Sequence, residues 1–453
     1  MIDQQIRAFA RSLRRASGYV RLYGFQHPLC TDAVDEAARA ATELIGDRPG
    51  LLIGIVDDTL FIDGEPSGLI SLQFNGFLRE VLAAGIETLI MTPPVDPDEL
   101  GQIARLIAGD IDAAPIGRSL RVNAVDLVRG PHDGSPAARL RRSYSQSLDA
   151  LRSFGSSVES GSAASLDETA SVVKNLLEQS LANPAAALLL TTVKSHHEYT
   201  FYHSVNTSIL SLGLAGLVGI SERDQVVLGI GAMLHDIGKI GVSRAVLQHP
   251  GRLDAAQWEE VRRHPQLGAE AILAAAAPGE ELAAVVAFEH HARFDGSGYP
   301  RLVYHDGTHH HHGPGHPLHF YSRLVAVADT YDAITTRRSY RRAEPPSRAL
   351  QVLVSEAGTS YDPDFVLAFA SMMGIYPPGS FLRLASGEIV MVTRPSDDPA
   401  VLPTAVVVRD RAGSEVAAPE PVPYADDDIV EQVAASALGI QPAQVLERLP
   451  ADC

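Results

Sequence analysis

The stretch Leu234-His235-Asp236-Ile237-Gly238-Lys239-Ile240 decides how the rest of the chain is interpreted. It places an imidazole beside a carboxylate at the end of an apolar helical run. Adjacent helical residues point about 100° apart, so His235 and Asp236 converge on one ion only if it lies at the helix terminus. Gly238 suits a helix C-terminus, where a left-handed residue is often needed, and Lys239 would be placed to hold an anion. The alternative is a helix end with a surface His-Asp pair, because a dipeptide is a weak motif.

Composition predicts a globular protein of two or three domains, because 453 residues exceed one ordinary core. The formal charge of −18 argues against nonspecific binding to nucleic acid or to an anionic membrane, since both need basic faces. The two cysteines, Cys30 and Cys453, cannot build a disulfide framework. The sequence has no signal pattern and no apolar run of membrane-spanning length. We therefore expect a cytoplasmic protein with no membrane or nucleic-acid partner.

The N-terminal part, residues 1–130, has the pattern of a small α+β domain without a catalytic constellation. A sensory or partner-docking role, or self-association, is the expectation for this domain. Residues 131–165 are rich in Gly, Ser and Arg, which predicts a linker crossed by an interrupted helix at about 140–153.

From 166 to 376 the periodicity is almost entirely helical, with short connections and Leu, Val, Ile and Ala at core positions. This pattern predicts an all-α bundle with a polar site at its centre. Residues 377–453 form a small β-rich module in which the pattern returns to helix at 427–448.

Histidine and aspartate residues recur within the apolar helices of the predicted bundle and at the ends of these helices. Each would point into the bundle, where an unpaired polar group is costly. The series consists of His203, His235, Asp236, His264, His290, His291 and Asp329. Five imidazoles and two carboxylates on five helices are hard to explain by packing alone.

This donor set indicates a binuclear metal centre with Asp236 as the bridge. A closed structural zinc site is not expected because no thiolate is present, whereas imidazole with carboxylate suits Fe, Mn, Zn, Ni or Co. Two such ions activate water and clamp a phosphate group, and Lys239 would neutralise charge in the transition state. The pattern therefore predicts hydrolysis of a phosphate ester.

The helical region resembles the HD-GYP phosphodiesterases, a branch of the HD superfamily, over roughly residues 165–375. The order and number of the matching motifs make the resemblance specific. They are His203-Ser204-Val205-Asn206, His235-Asp236-Ile237-Gly238-Lys239, His264-Pro265 with Gly268, His290-His291 with Asp295-Gly296-Ser297-Gly298-Tyr299-Pro300, and Ala328-Asp329-Thr330-Tyr331-Asp332-Ala333 followed by Arg338, Tyr340 and Arg341.

The resemblance implies hydrolysis of cyclic di-GMP to the linear dinucleotide pGpG or onward to GMP. It implies that the seven His and Asp residues are metal ligands, that Asp236 and Lys239 are catalytic, and that Lys239 contacts phosphate. It also implies substrate contacts by Tyr299 of the GYP loop and by Arg338 and Arg341, whose guanidinium forks suit guanine or phosphate.

The sequence departs from the family pattern at several positions. Some members have a carboxylate ligand to a third metal four positions before the first histidine. Tyr199 stands there in this chain, so we predict two metal ions, with Glu198 as a substitute ligand only after a local shift. The family usually has Glu at the position of Ala292 and Lys at that of His249.

Two further features of the sequence leave alternatives open. The His-rich insertion 304–319 is interpreted as a solvated loop, with weak accessory metal binding or a role in the main site as the alternatives. Asp332 lies three residues after Asp329 on one helical face, and a supporting role is favoured over ligation. The rival functions are a non-catalytic effector that binds the dinucleotide or a protein, which Ala292 leaves open, and a hydrolase of another cyclic dinucleotide.

Overall fold

The chain folds into two compact units, Met1–Asp126 and Leu127–Cys453. We describe each unit by itself from a computed structural model. The structure describes residues 2–46, 48, 50–56, 59–62, 65–86, 88–111, 119–122, 136–193, 199–247, 249, 251–277, 281–300, 302–303, 309–310, 318–336, 343–396, 401–416, 419–438, 440, 442–446 and 449.

The first unit combines helices with one antiparallel sheet, as the α+β pattern predicts. Its helices are α1 (Ile2–Tyr23), α2 (Pro28–Ile45), α3 (Gly68–Ala83) and α4 (Pro97–Ala108). Its strands are β1 (Leu51–Val56), β2 (Thr59–Ile62), β3 (Glu65–Pro66), β4 (Thr88–Met91) and β5 (Leu120–Val122), in the order β3-β2-β1-β4-β5.

Local sequence explains where α4 begins and ends. Asp96 caps its N-terminus by accepting a hydrogen bond from the backbone N–H of Asp98, and Pro97 occupies the first turn, where no N–H donor is needed. Gly109 ends the helix in the left-handed conformation. Aliphatic and aromatic side chains of the helices and the sheet form one core in this unit.

The second unit is mainly helical, as expected for 166–376. Its helices are α5 (Pro136–Glu159), α6 (Asp167–Ala182), α7 (Pro184–Leu190), α8 (Tyr199–Leu217), α9 (Glu222–Leu234), a 3-10 helix (Ile237–Gly241), α10 (Arg244–Leu247), α11 (Ala255–Val261), α12 (His264–Ala275), α13 (Leu282–Glu289), α14 (Phe320–Thr335), α15 (Pro346–Ser355) and α16 (Pro363–Met373). Between α13 and α14, β6 (Leu302–Val303) pairs with β7 (His309–His310).

The centre of this unit is a helical core that supports the polar site. Helices α8, α9, α13 and α14 contribute fully buried side chains such as Leu210, Leu228, Val286 and Leu324. Short apolar helices that are hydrophobic on most faces can only be stable when they are surrounded by others. The core therefore fixes the positions of the helix ends that carry the histidines and aspartates.

Helix α5 corrects the linker expected at 131–165. It runs from Pro136 to Glu159 without interruption and packs on α6 and α8. Tyr144 is fully buried in it, and its hydroxyl donates a hydrogen bond of 2.7 Å to Oδ1 of Asn206 on α8. Gly155 lies against Ile240 of the 3-10 helix. This segment is therefore part of the helical unit.

The C-terminal module is a four-stranded antiparallel sheet with two short helices. The strands are β8 (Phe381–Leu384), β9 (Ile389–Arg394), β10 (Thr404–Arg409) and β11 (Ile429–Val433), in the order β10-β9-β8-β11, and the helices are α17 (Ala435–Leu438) and α18 (Pro442–Leu446). The helix expected at 427–448 is wrong in its first part, where β11 pairs with β8. Leu189 of α7 joins the core of the module, so the module packs directly on the helical bundle.

Within the described part of the chain, no helix combines the length and the hydropathy needed to cross a membrane.

Candidate metal centre

The structure brings all seven predicted ligand residues together in the middle of the helical unit. His203 lies in α8 and Asp329 in α14, whereas His235 and Asp236 follow the last residue of α9. The other three lie at the first residue of α12 and just after α13, namely His264, His290 and His291. Most of the site is therefore built from helix ends, where a side chain can point along the helix axis into the core.

The ligand atoms form two clusters that share one carboxylate. In the first cluster, the atoms offered by Asp236, His264, His290 and His291 all lie within 4.8 Å of one another. Oδ1 of Asp236 lies 3.3 Å from Nε2 of His264 and 3.7 Å from Nε2 of His290.

The second cluster lies on the other oxygen of the same carboxylate. His203, His235 and Asp236 offer atoms within 4.8 Å of one another. Oδ2 of Asp236 lies 3.4 Å from Nε2 of His235 and 3.8 Å from Nε2 of His203. Oδ1 of Asp329 adjoins this cluster, 2.9 Å from Nε2 of His203 and 3.8 Å from Nε2 of His235. Asp236 thus stands between two sets of nitrogen and oxygen donors.

Three of the histidines have their rings oriented by their own helix ends. Nδ1 of His235, His264 and His290 each lies 2.7 Å from the backbone carbonyl three residues earlier. Because a carbonyl only accepts, each Nδ1 must be the protonated nitrogen. In the neutral form of each ring, Nε2 then carries no proton and points into the site, which is the tautomer that binds metal through Nε2.

His203 is oriented by a carboxylate on another helix. Its Nδ1 lies 2.8 Å from Oδ2 of Asp332 in α14, and Asp332 is fully buried. Thr336 donates a second hydrogen bond of 3.2 Å to the same oxygen. A carboxylate on the outer nitrogen of a ligand histidine fixes its tautomer and raises its basicity. Asp332 is therefore placed to support His203.

The donor atoms fit a bound cation better than they fit one another. Nε2 of His235 and Oδ1 of Asp236 are buried and have no hydrogen-bond partner among the described residues. Nε2 of His264 lies 3.2 Å from Nε2 of His290, although both are acceptors when Nδ1 carries the proton. Two imidazole nitrogens bound to one ion at the usual bond length lie about 3–3.5 Å apart. A cation in the first cluster would satisfy Oδ1 of Asp236 and Nε2 of His264 and His290, and one in the second cluster would satisfy Nε2 of His235.

Two histidines of the first cluster, His290 and His291, have lowered pKa values. Burial lowers the pKa of His291 to about 3, with Asp329 opposing and His264 assisting the shift. Burial and the neighbouring His291 lower the pKa of His290 well below its ordinary value. Both imidazoles are therefore uncharged near neutral pH, with lone pairs available to a metal.

The shared carboxylate is ionised. Burial alone would raise the pKa of Asp236, but Lys239 and His235 outweigh it and hold that pKa well below its ordinary range. Nζ of Lys239 lies 2.5 Å from Oδ2 of Asp236. Burial is likewise outweighed at Asp329, where the hydrogen bond with His203 lowers the pKa of the carboxyl group. The centre is thus an anionic donor set with one lysine at its edge.

Gly238 has a different role from the left-handed cap that the sequence suggested. Helix α9 continues into the 3-10 helix, and the φ angle of Gly238 is not positive. A β-carbon on Gly238 would lie 2.0 Å from the carbonyl oxygen of His264 and 2.4 Å from the backbone nitrogen of Gly268. The glycine is needed because two backbones touch there, and this contact brings Asp236 to His264.

The GYP loop is folded against the same centre. Oδ1 of Asp295 accepts hydrogen bonds from the backbone N–H and the hydroxyl of Ser297, which closes a tight turn. Gly298 has φ of +94°, a conformation that favours glycine. The ring of Tyr299 lies 4.8 Å from that of His291. The loop therefore places an aromatic side chain beside the first cluster.

Comparison with known proteins agrees with this geometry. Residues 188–365 match the family model described as "HD domain". This part of the chain is therefore similar to HD domains. The resemblance to HD-GYP phosphodiesterases that the motifs indicate is confirmed for this region.

Three curated relatives illustrate the match. The cyclic di-GMP phosphodiesterase PA4108 of Pseudomonas aeruginosa is 33% identical over 51% of this chain and 53% of its own length. The 3'3'-cGAMP-specific phosphodiesterase 3 of Vibrio cholerae is 35% identical over 41% of this chain and 38% of its own. The cyclic di-GMP phosphodiesterase response regulator RpfG of Xanthomonas campestris pv. campestris is 36% identical over 33% of this chain and 38% of its own length. The chain spans about half or less of the length of these relatives.

Several sequence predictions for the helical unit fall outside the described residues. Arg338, Arg341 and Glu198 belong to this group, and so does the side chain of Tyr199. In the His-rich insertion, the structure describes the backbone of β7 and the residues Leu318 and His319. His319 caps α14 by accepting a hydrogen bond from the N–H of Tyr321.

Other features of the helical unit were not predicted from the sequence. The carbonyl groups that orient His235, His264 and His290 belong to the backbone, so no residue type marks them in the sequence. In each case the carbonyl lies three residues before the histidine. Trp258 lies in α11, and Arg262, which follows the helix, lies close to both Trp258 and Tyr299. The only hint in the sequence is that Arg262 stands two residues before His264.

Proposed function

We propose that the protein is a metal-dependent phosphodiesterase that hydrolyses cyclic dinucleotides, with cyclic di-GMP as its substrate and pGpG or GMP as the product. The observation that carries the proposal is the pair of buried donor clusters that share Asp236. Two ions held side by side form an arrangement that clamps both oxygens of an in-line displacement at phosphorus. The names of the relatives in P. aeruginosa and X. campestris support the choice of substrate.

The proposed cofactors are two divalent ions, with Fe, Mn or another transition metal as the candidates. His264, His290, His291 and Asp236 would hold one of them. The other would be held by His203, His235, Asp329 and the second oxygen of Asp236. When bound, such ions polarise phosphoryl oxygens and lower the pKa of water.

The remaining roles belong to residues around the donor clusters. Lys239 is only 16% exposed in its side chain, and its ammonium group would pair with a phosphate oxygen of the substrate. Tyr299 would contact the substrate beside His291. Arg338 and Arg341 are proposed as guanine or phosphate contacts on the resemblance alone.

A hydrolase of a mixed cyclic dinucleotide is the second candidate, because the V. cholerae relative is named for 3'3'-cGAMP. The two substrates differ in one purine, so the metal centre does not discriminate between them. A non-catalytic effector is the third candidate. It rests on Ala292, which is buried and pairs with Gly298 at the base of the GYP loop, where the family usually has glutamate.

The test is metal analysis of anaerobically purified protein, followed by hydrolysis assays with cyclic di-GMP and 3'3'-cGAMP. The proposal expects metal-dependent turnover of cyclic di-GMP and its loss in Asp236→Ala. Asp149→Ala is the matched control, because this carboxylate lies on the exposed face of α5. Faster turnover of cGAMP would favour the second candidate, and binding without turnover would favour the effector.

For the rest of the chain, we propose the domain layout given by the sequence pattern, with residues 1–130 as a sensory or docking domain. Support comes from the separate compact unit Met1–Asp126 and from the location of both donor clusters outside it. A protein partner or a second copy of the chain would bind there. Size measurement of the full chain in solution, with and without cyclic di-GMP, tests for self-association.

A further inference from the structure

An exposed aromatic and basic cluster lies beside the metal centre. The guanidinium carbon of Arg262 is 5.8 Å from the ring centre of Trp258 and 5.7 Å from that of Tyr299. Both distances are within the range of cation–π attraction. Trp258 is 45% exposed, and it is the only tryptophan of the chain.

The cluster is continuous with the ligands of the first ion position. The ring of Tyr299 lies 4.8 Å from that of His291 and 6.5 Å from that of His264. Arg262 precedes His264 by two residues along the chain. If the phosphate of a bound molecule reaches His264 and His291, the part of the molecule next to the phosphate can therefore contact Tyr299. Arg262 and Trp258 lie further along the same surface.

The helix that carries Trp258 is held in place from both ends. Asp254 and Gln257 form a reciprocal capping box at the start of α11. Glu260 accepts a hydrogen bond of 2.6 Å from the backbone N–H of Ser243, two residues beyond the 3-10 helix that contains Lys239. Trp258 therefore lies on a short helix that is hydrogen-bonded to the segment after Lys239, and Arg262 follows the last residue of this helix.

We propose that Trp258 and Arg262, together with Tyr299, hold one purine base of the cyclic dinucleotide. This inference rests on the proposed function and deepens it. A purine stacks on aromatic side chains regardless of its identity, and the arginine fork pairs with O6 and N7 of guanine. The same fork meets no matching acceptor pair on adenine, which offers N7 and an amino donor. Arg262 would therefore favour guanine at this position.

The competing explanation is that the cluster only stabilises α11. Arg262 also lies 3.3 Å from Glu259, and both side chains are more than half exposed. An exposed ion pair of this kind contributes little to stability. A purely structural role therefore predicts small effects on substrate binding when Trp258 or Arg262 is changed.

Fluorescence of the single tryptophan tests stacking directly. Metal-loaded full-length protein is mixed rapidly with cyclic di-GMP and, separately, with dimethyl phosphate, which has no base. We expect quenching only with cyclic di-GMP, before hydrolysis, and no signal from Trp258→Phe. Hydrolysis without quenching would overturn the inference while leaving the proposed function intact. Quenching without hydrolysis would support the base site and contradict the proposed catalysis, and absence of both would contradict both.

Steady-state kinetics give the second test. Trp258→Ala should raise KM for cyclic di-GMP by roughly 10-fold or more, whereas Trp258→Phe, which keeps a stacking face, should raise it less. Arg262→Lys should behave like Arg262→Ala, because lysine lacks the fork. Arg348→Ala, an exposed arginine on α15, is the matched control and should equal the wild type. A fall in kcat with unchanged KM in the Trp258 and Arg262 variants would indicate a structural role and overturn the inference.

Discussion

Gly238 and His264 are in backbone contact, so close that the carbonyl oxygen of His264 lies 2.0 Å from where a β-carbon on residue 238 would be. The contact joins the 3-10 helix to the first turn of α12. Because Asp236 precedes Gly238 by two residues and His264 is itself a predicted ligand, the contact sets the spacing within the first cluster. Any side chain at position 238 must therefore push Asp236 and His264 apart.

Gly238→Ala should lower the free energy of unfolding by about 1–3 kcal/mol or more, since overpacking against backbone has no flexible neighbour to absorb it. It should also reduce the amount of metal that the purified protein retains. Urea unfolding and metal analysis measure the two effects. Gly216→Ala is the control, because Gly216 lies in α8 with nothing within 4 Å of its β-carbon position, so alanine there should be neutral or stabilising. Equal stabilities of the two variants would contradict the role of the contact.

Asp332→Asn should impair metal binding although every ligand remains. The amide of asparagine can present N–H to Nδ1 of His203, which would move the ring proton to Nε2 and point it into the site. Loss of such a supporting group typically costs 10–100-fold in metal affinity or activity. Metal titration followed by activity measurement checks this. Thr336→Val removes only a hydrogen bond to Asp332 and should reduce metal affinity less than Asp332→Asn does. A larger loss of metal affinity in Thr336→Val would contradict the supporting role of Asp332.

Tyr144→Phe should destabilise the helical unit, because it leaves the buried Oδ1 of Asn206 without its hydroxyl donor. The expected loss is about 1–3 kcal/mol in the free energy of unfolding, measured by urea denaturation. The control is Tyr23→Phe, at an exposed ring on α1, where the change should stay within about 0.5 kcal/mol. If both variants unfold like the wild type, the bond between α5 and α8 does not hold this region together.

Removal of metal should lower the melting temperature of the wild-type protein, since a ligand that binds only the folded state stabilises it by mass action. Calorimetry with and without a chelator, followed by reloading, gives the size of the shift. Asp236→Ala should show little shift, because it removes the oxygen donors common to both clusters. An equal shift in this variant would show that metal binds elsewhere.

The histidines and aspartates of the site were predictable from sequence because each interrupts an apolar helical pattern where only a paired polar group is tolerated. The reason for Gly238 was not, since a close approach to Gly268 depends on tertiary packing. The surroundings of Arg262 were likewise hidden, because the ring of Tyr299 that it contacts is far away in sequence.

Two elements of the fold differ from the sequence prediction, one for a local reason and one because of a contact that is distant in sequence. The Ser, Gly and Arg content of α5 resembles a linker, so composition predicts too short a helix there. Its buried residues nevertheless follow helical spacing, namely Leu140, Tyr144, Leu148 and Leu151. The local sequence pattern predicts helix where β11 forms, because the partner strand β8 lies more than forty residues earlier. Pairing over such a separation overrides a local preference.

The position of Asp236 between the two clusters has a thermodynamic consequence. If each oxygen of one carboxylate serves a different ion, the two binding equilibria cannot be independent. Whatever factor the first ion imposes on the affinity for the second, the second must impose on the first. Loading of the centre would therefore be cooperative. The cooperativity is negative where electrostatic repulsion between the two ions dominates, and positive where the first ion preorganises the shared carboxylate for the second.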